Sequence, residues 1–201
     1  MSHNVVHMRP YIKTYSGVDF LLPNYHNDPD CPNINRMNQV RLIDIAHSLG
    51  NLCRFTGHTR VFYSVAQHCY HVAENCDDPW EGLMHDAREA YANDLATPVK
   101  SVLSDYRPLE QNIHEAIAHK FGLARNTPEN VKEVDRRMCL TEALTLVDPK
   151  ADQWPCFEGV EPIQMSITPW TPSQAKVNFL QAAAVLQAGD KLNEAGDLFN
   201  R

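Results

Sequence analysis

The stretch Leu83-Met84-His85-Asp86-Ala87-Arg88-Glu89-Ala90-Tyr91-Ala92-Asn93-Asp94 constrains this chain more than any other. One histidine and three carboxylates fall within ten residues, a cluster that repels itself unless a cation sits among them. Leu83, Met84, Ala87, Ala90 and Tyr91 recur at helical spacing, so the His-Asp doublet is expected on an amphipathic helix. Glu89 follows His85 by four residues and Asp86 by three, which puts it on the same side of that helix. Asp94 falls past the helix end, ahead of Leu95-Ala96-Thr97-Pro98, where the proline forbids simple continuation.

The rest of the chain reads as helices separated by proline and glycine. Residues 1 to 37, punctuated by Pro10, Pro23, Pro29 and Pro32, form an irregular arm packed on the domain, with a short strand or hairpin fitting 11 to 22. Helices are expected over 38 to 52, 62 to 76, 79 to 92, 98 to 105, 108 to 121, 128 to about 147 and 174 to about 187. Gly122 suits a C-cap, and Thr127 and Ser173 suit N-caps. Residues 38 to 190 make one all-α domain, and 191 to 201 a C-terminal tail.

Composition limits the partners. A formal net charge of −7 offers no general attraction to nucleic acid or to an anionic membrane, so an anionic substrate must meet local positive charge. Six cysteines without a C-x-x-C pair fit reduced thiols. Met1 to Pro10 lacks the apolar stretch of a signal peptide, and a cytoplasmic protein is expected.

Two further residues join the doublet. His68 borders the stripe Val65, Ala66, Cys69, Val72, while His71 lies on the polar face of the same helix and reads as solvated. Asp135 sits beside the stripe Val131, Val134, Met138, where a carboxylate needs a partner. Two imidazoles and two carboxylates on three helices suit a divalent transition ion (Zn, Mn, Fe or Co), with positions left open for water and a substrate oxygen. The bland alternative makes His68 a hydrogen-bonded core histidine and pairs Asp135 with Lys132 or Arg136.

The order His68, His85-Asp86, Asp135 resembles the signature of HD-domain metal-dependent phosphohydrolases. Arg54-Phe55, Tyr63-Ser64-Val65-Ala66-Gln67-His68, Glu89, and Asp94-Leu95-x-Thr97-Pro98-x-Lys100 are similar to segments of bacterial 5′-deoxynucleotidases and of phage dATP triphosphohydrolases. The resemblance covers roughly residues 40 to 180 and implies a compact helical HD domain. It implies His68, His85, Asp86 and Asp135 as metal ligands, and Glu89 and Asp94 as the catalytic carboxylates that handle water, proton and leaving group. Arg54 and Lys100, with Lys132, would hold phosphate oxygens, and Phe55 would stack on sugar or base; core or solvated roles for Phe55, Lys100 and Lys132 stay open. The substrate so implied is a 2′-deoxynucleotide, dATP first and a deoxynucleoside monophosphate second. A second ion such as Mg would shield a triphosphate, and a homo-oligomer is expected.

Overall fold

Val65, Ala66, Cys69, Val72 and Ala73 recur at three- and four-residue spacing because they line the buried face of one helix, Val65–Asn75 (α2), against which several other helices pack. In the computed structural model, residues 10–22, 38–189 and 192 are described. The strands Tyr11–Lys13 (β1) and Asp19–Leu21 (β2) precede the helices Leu42–Asn51 (α1) and α2. Then come Pro79–Met84 (α3), Glu89–Ala92 (α4), Thr97–Val102 (α5), Tyr106–Phe121 (α6), Glu129–Leu146 (α7) and Pro172–Gln187 (α8). The domain is all-α apart from the antiparallel pair β1–β2.

Helix α2 packs on α1, α3, α7 and α8, and α8 also lies on α1 and α3. The main core gathers Ile45, Leu49, Val65, Leu83, Met84, Ile113 and Phe179, all fully buried. Leu140, Ala143, Ala151 and Phe157 form a separate apolar cluster at the C-terminal half of α7. At Gly82 a Cβ would lie 2.5 Å from Cys76 Sγ and 2.9 Å from Ala73 Cα, so only glycine lets α3 close on α2.

The hairpin expected over 11 to 22 is present as β1–β2, while other sequence expectations change. The arm is ordered over 10–22: Phe20 is fully buried and stacks on Tyr91, while Ser16 donates from its backbone and hydroxyl to Asp44 at 2.6 and 2.8 Å. The pair His3 and His7, spaced four apart as metal ligands often are, and most of the tail lie outside the described residues. The single helix expected over 79 to 92 is two, α3 and α4. Between them the amides of Ala87, Glu89, Ala90 and Tyr91 bond three residues back, a 3₁₀-like tightening through the His-Asp doublet. Helix α7 has Pro128, not Thr127, at its N-cap. Helix α8 is capped by Thr171, not Ser173, in a reciprocal box with Gln174, since Pro172 is already its first residue. His71 is buried, because Gln67 on the same face bonds to Thr168 and Trp170 and brings the 165–170 segment over it. Among the described residues no helix is long and apolar enough to cross a membrane.

Candidate metal centre

Three structural units deliver the histidines and aspartates to one point. His68 is fully buried on α2, His85 and Asp86 follow the end of α3, and Asp135 projects from α7 with 40% of its side chain exposed. His68 Nε2 lies 3.0 Å from Asp135 Oδ1 and 3.9 Å from Asp86 Oδ2. His85 Nε2 lies 3.1 Å from Asp86 Oδ2 and 3.8 Å from Asp135 Oδ1. Donor atoms bound to one ion at about 2.0–2.2 Å stand roughly 3–3.6 Å apart, so this spacing is close to that of a coordination shell.

The outer sides of both rings are already engaged. His68 Nδ1 donates to Glu142 Oε1 at 2.7 Å, and His85 Nδ1 donates to the Gly82 carbonyl at 2.7 Å. Those bonds fix the tautomer and turn both Nε2 atoms inward, where each is buried and makes no aligned hydrogen bond. Buried nitrogens of this kind cost free energy unless something meets them. Burial pushes the His85 imidazole down, but Asp86 and Cys69 together outweigh it and hold the ring well above its ordinary pKa. Asp86 is held well below its ordinary value: burial opposes this, and His85, Arg88 and His68 outweigh it. The inward Nε2 atoms and the neighbouring carboxylates form groups that could hold a divalent cation.

His68, His85 and Asp135 present mutually close ligand atoms, and Cys69, His85 and Asp86 form a second, overlapping group. Asp86 thus joins the centre mainly through His85. Sequence reasoning passed over Cys69, whose thiol is fully buried and pushed up by that burial.

Glu142 was also missed. It is fully buried and accepts from His68 Nδ1, from Tyr63 Oη at 2.9 Å and from Arg54 Nε at 2.8 Å. Its signal was available, because it falls seven residues after Asp135 and hence two turns along the same face of α7. The bond to Glu142 turns the Arg54 guanidinium toward the centre, with Nη1 3.9 Å from Asp86 Oδ2. Arg54 stands on a loop stapled by its own amide to Tyr63 O and by Arg60 N to Leu146 O. Phe55 and Thr56 in that loop have φ of 53° and 54°. A left-handed conformation costs a non-glycine residue about 1–2 kcal/mol, and strain of this kind gathers at functional sites. The half-buried Phe55 ring packs against the Leu140–Phe157 cluster, 5.6 Å from the Arg54 guanidinium.

The remaining candidates divide. Glu89 is buried with Oε2 unpartnered, and burial, then Asp86 and Asp94, push its carboxyl well above the ordinary range. Asp94 is half-buried; burial raises it and Arg54 opposes. Asn93 before it has φ 75° and ψ 156°, a second strained position beside the centre. Lys100 is not free for a ligand: its Nζ donates to Glu89 at 3.2 Å and Glu110 at 2.9 Å. Lys132 pairs with Glu129 at 3.1 Å on the surface rather than with Asp135, and Arg136 donates to the carbonyl of Cys156. Both alternative partners for Asp135 are thereby removed, and His68 takes the role.

Over 174 residues the chain is 36% identical to the protein named "Uncharacterized protein YfdR" of Escherichia coli (strain K12), a match covering 85% of this chain and 92% of that protein. Over 105 residues it is 32% identical to "Uncharacterized protein RCAP_rcc00048" of Rhodobacter capsulatus, covering 46% of this chain and 54% of that one. No protein-family model matches the chain.

Proposed function

The chain belongs to the family of Escherichia coli YfdR, and for it we propose a metal-dependent phosphohydrolase of 2′-deoxynucleotides on an HD-type helical domain. The observation that carries this reading is the pair of buried, inward-facing Nε2 atoms of His68 and His85 against Asp86 and Asp135, with Arg54 and Glu89 at the rim. His68, His85, Asp86 and Asp135 would hold one transition ion (Zn, Mn, Co or Fe), which when bound supplies a Lewis acid for a phosphoryl oxygen and lowers the pKa of water.

The chain's own groups do the rest. Arg54, anchored through Nε by Glu142, offers its Nη atoms to the same phosphate. Glu89 carries an open Oε2 and a raised pKa, which suits a group that takes a proton from water and gives it up again. Lys100 donates to Oε1 of Glu89 and so fixes which oxygen faces the reaction. Asp94 serves the leaving 5′-oxygen. Phe55 stacks on the sugar and crowds a 2′-hydroxyl.

The substrate we favour is dATP, cleaved to deoxyadenosine and triphosphate, with a second ion such as Mg on the phosphates. A 5′-nucleotidase acting on deoxynucleoside monophosphates is the second reading, favoured by Lys100 being engaged with Glu89 and Glu110. The test is chromatographic separation of products from dATP, dAMP and their ribose counterparts with Mn-, Zn- or Co-loaded protein. Triphosphate from dATP is expected. Orthophosphate from dAMP in preference would establish the nucleotidase, and no turnover on any nucleotide would reduce the centre to a binding module.

A further inference from the structure

The 85–88 turn faces two ways. Asp86 looks into the metal centre, while Arg88 leans outward, with Nη2 3.5 Å from Asp86 Oδ1 and Nε 3.6 Å from Glu110 Oε1. Arg88 also walls a cleft of about 470 Å³ whose other sides carry Arg107 from α6, Arg125 from the α6–α7 connection and Lys132 from α7. Lys132 precedes Asp135 by one turn of the same helix, so both the turn and α7 lead from the metal centre to this cleft.

Four cations against one carboxylate is unusual in a chain of net charge −7. The carboxylate, Glu110, is already bound by Lys100 at 2.9 Å. Arg107 is exposed. Arg125 pairs with Glu115 at 3.4 Å, with side chains 82% and 45% exposed, and Lys132 pairs with Glu129 in similar exposure. Exposed pairs contribute only about 0–1 kcal/mol, so these cations are readily surrendered to a multivalent anion.

We propose that this cleft seats a polyphosphate chain: the phosphates of a nucleoside triphosphate beyond the one at the metal centre. The inference rests on the phosphohydrolase reading and deepens it, since neither Arg107 nor Arg125 belongs to the segments that carried that reading. Forked guanidinium groups match phosphate oxygens two at a time. None of His68, His85, Asp86, Asp135 and Arg54 lines the cleft, so a monophosphate held among them lies outside it and the cleft reads chain length.

Calorimetric titration of inorganic tripolyphosphate and of orthophosphate into the metal-loaded full chain tests this, comparing the parent with the double variant Arg107→Ala, Arg125→Ala. Both positions are exposed, so folding is not at stake. Tripolyphosphate affinity should fall roughly tenfold or more while orthophosphate affinity holds. Unchanged tripolyphosphate affinity, equal losses on both anions, or no tripolyphosphate binding by the parent would each overturn the proposal. If the expected pattern appears in a protein that hydrolyses no nucleotide, the cleft stands and the catalytic reading falls.

Discussion

Glu142 decides more about the centre than any metal ligand does alone, because one buried carboxylate takes a proton donor from His68, Tyr63 and Arg54 together. Its role was written in the sequence as a spacing from Asp135, but a glutamate mid-helix is ordinarily solvated, and only tertiary packing removes it from water. Glu89 could be read directly from its distance to the His-Asp doublet. Replacing Glu89 with Gln should preserve metal content and nucleotide affinity while lowering kcat about 10²-fold or more, the usual scale for a positioned acid or base. Steady-state kinetics with metal analysis would check this, and a near-parental kcat would make Glu89 a structural carboxylate. The centre also sets a pH dependence. His85 has a folded pKa raised well above 6.5, so its stabilising share is complete below pH 6.5 and fades as pH rises through the folded value. Asp86, depressed below 3.8, contributes above that value and loses its share only as acid approaches the folded value. Glu89, raised well above 4.5, adds a loss in the same direction as His85 when pH rises. Metal binding needs neutral imidazoles and strengthens as they lose protons. Thermal unfolding in chelator should therefore show Tm falling from pH 6.5 upward, with the gap to Mn-loaded protein widening. A gap that stays constant with pH would contradict these assignments.

The break between α3 and α4 is the element that places the doublet. Amphipathic periodicity ran unbroken through 83–91 and so suggested one helix; a 3₁₀ tightening over a few residues turns the faces too little to break that pattern. It also brings positions three apart into register, which aligns Asp86 with Glu89. Gly82 holds this element against α2, and its carbonyl orients His85. Gly82→Ala should cost about 1–3 kcal/mol by forcing the helices apart. It should also weaken metal binding, because His85 and His68 separate with their helices. Denaturant unfolding and competition with a chelator would measure the two effects; stability loss with unchanged metal affinity would show that the α2–α3 contact does not set the centre. The caps of α7 and α8 were misread for a simpler reason, since several Thr, Ser and Pro residues within a few positions offer equivalent starts.

Across the whole molecule, the helical class and the residues that the fold gathers at the candidate centre (His68, His85, Asp86 and Asp135) were legible because stripe spacing and residue chemistry are local properties. The cleft beside Arg88 was not, since Arg107, Arg125 and Lys132 come from separate segments whose meeting depends on how α6 and α7 pack. The metal centre in turn draws α2, the α3–α4 turn and α7 to a single point, joining the main core to the side on which α7 packs. An ion bound there would stabilise the fold by its binding free energy. The most direct measurement is elemental analysis of the purified parent and of Asp86→Ala. The parent should carry one equivalent of a transition metal and the variant much less, whereas undiminished metal in Asp86→Ala would contradict the centre.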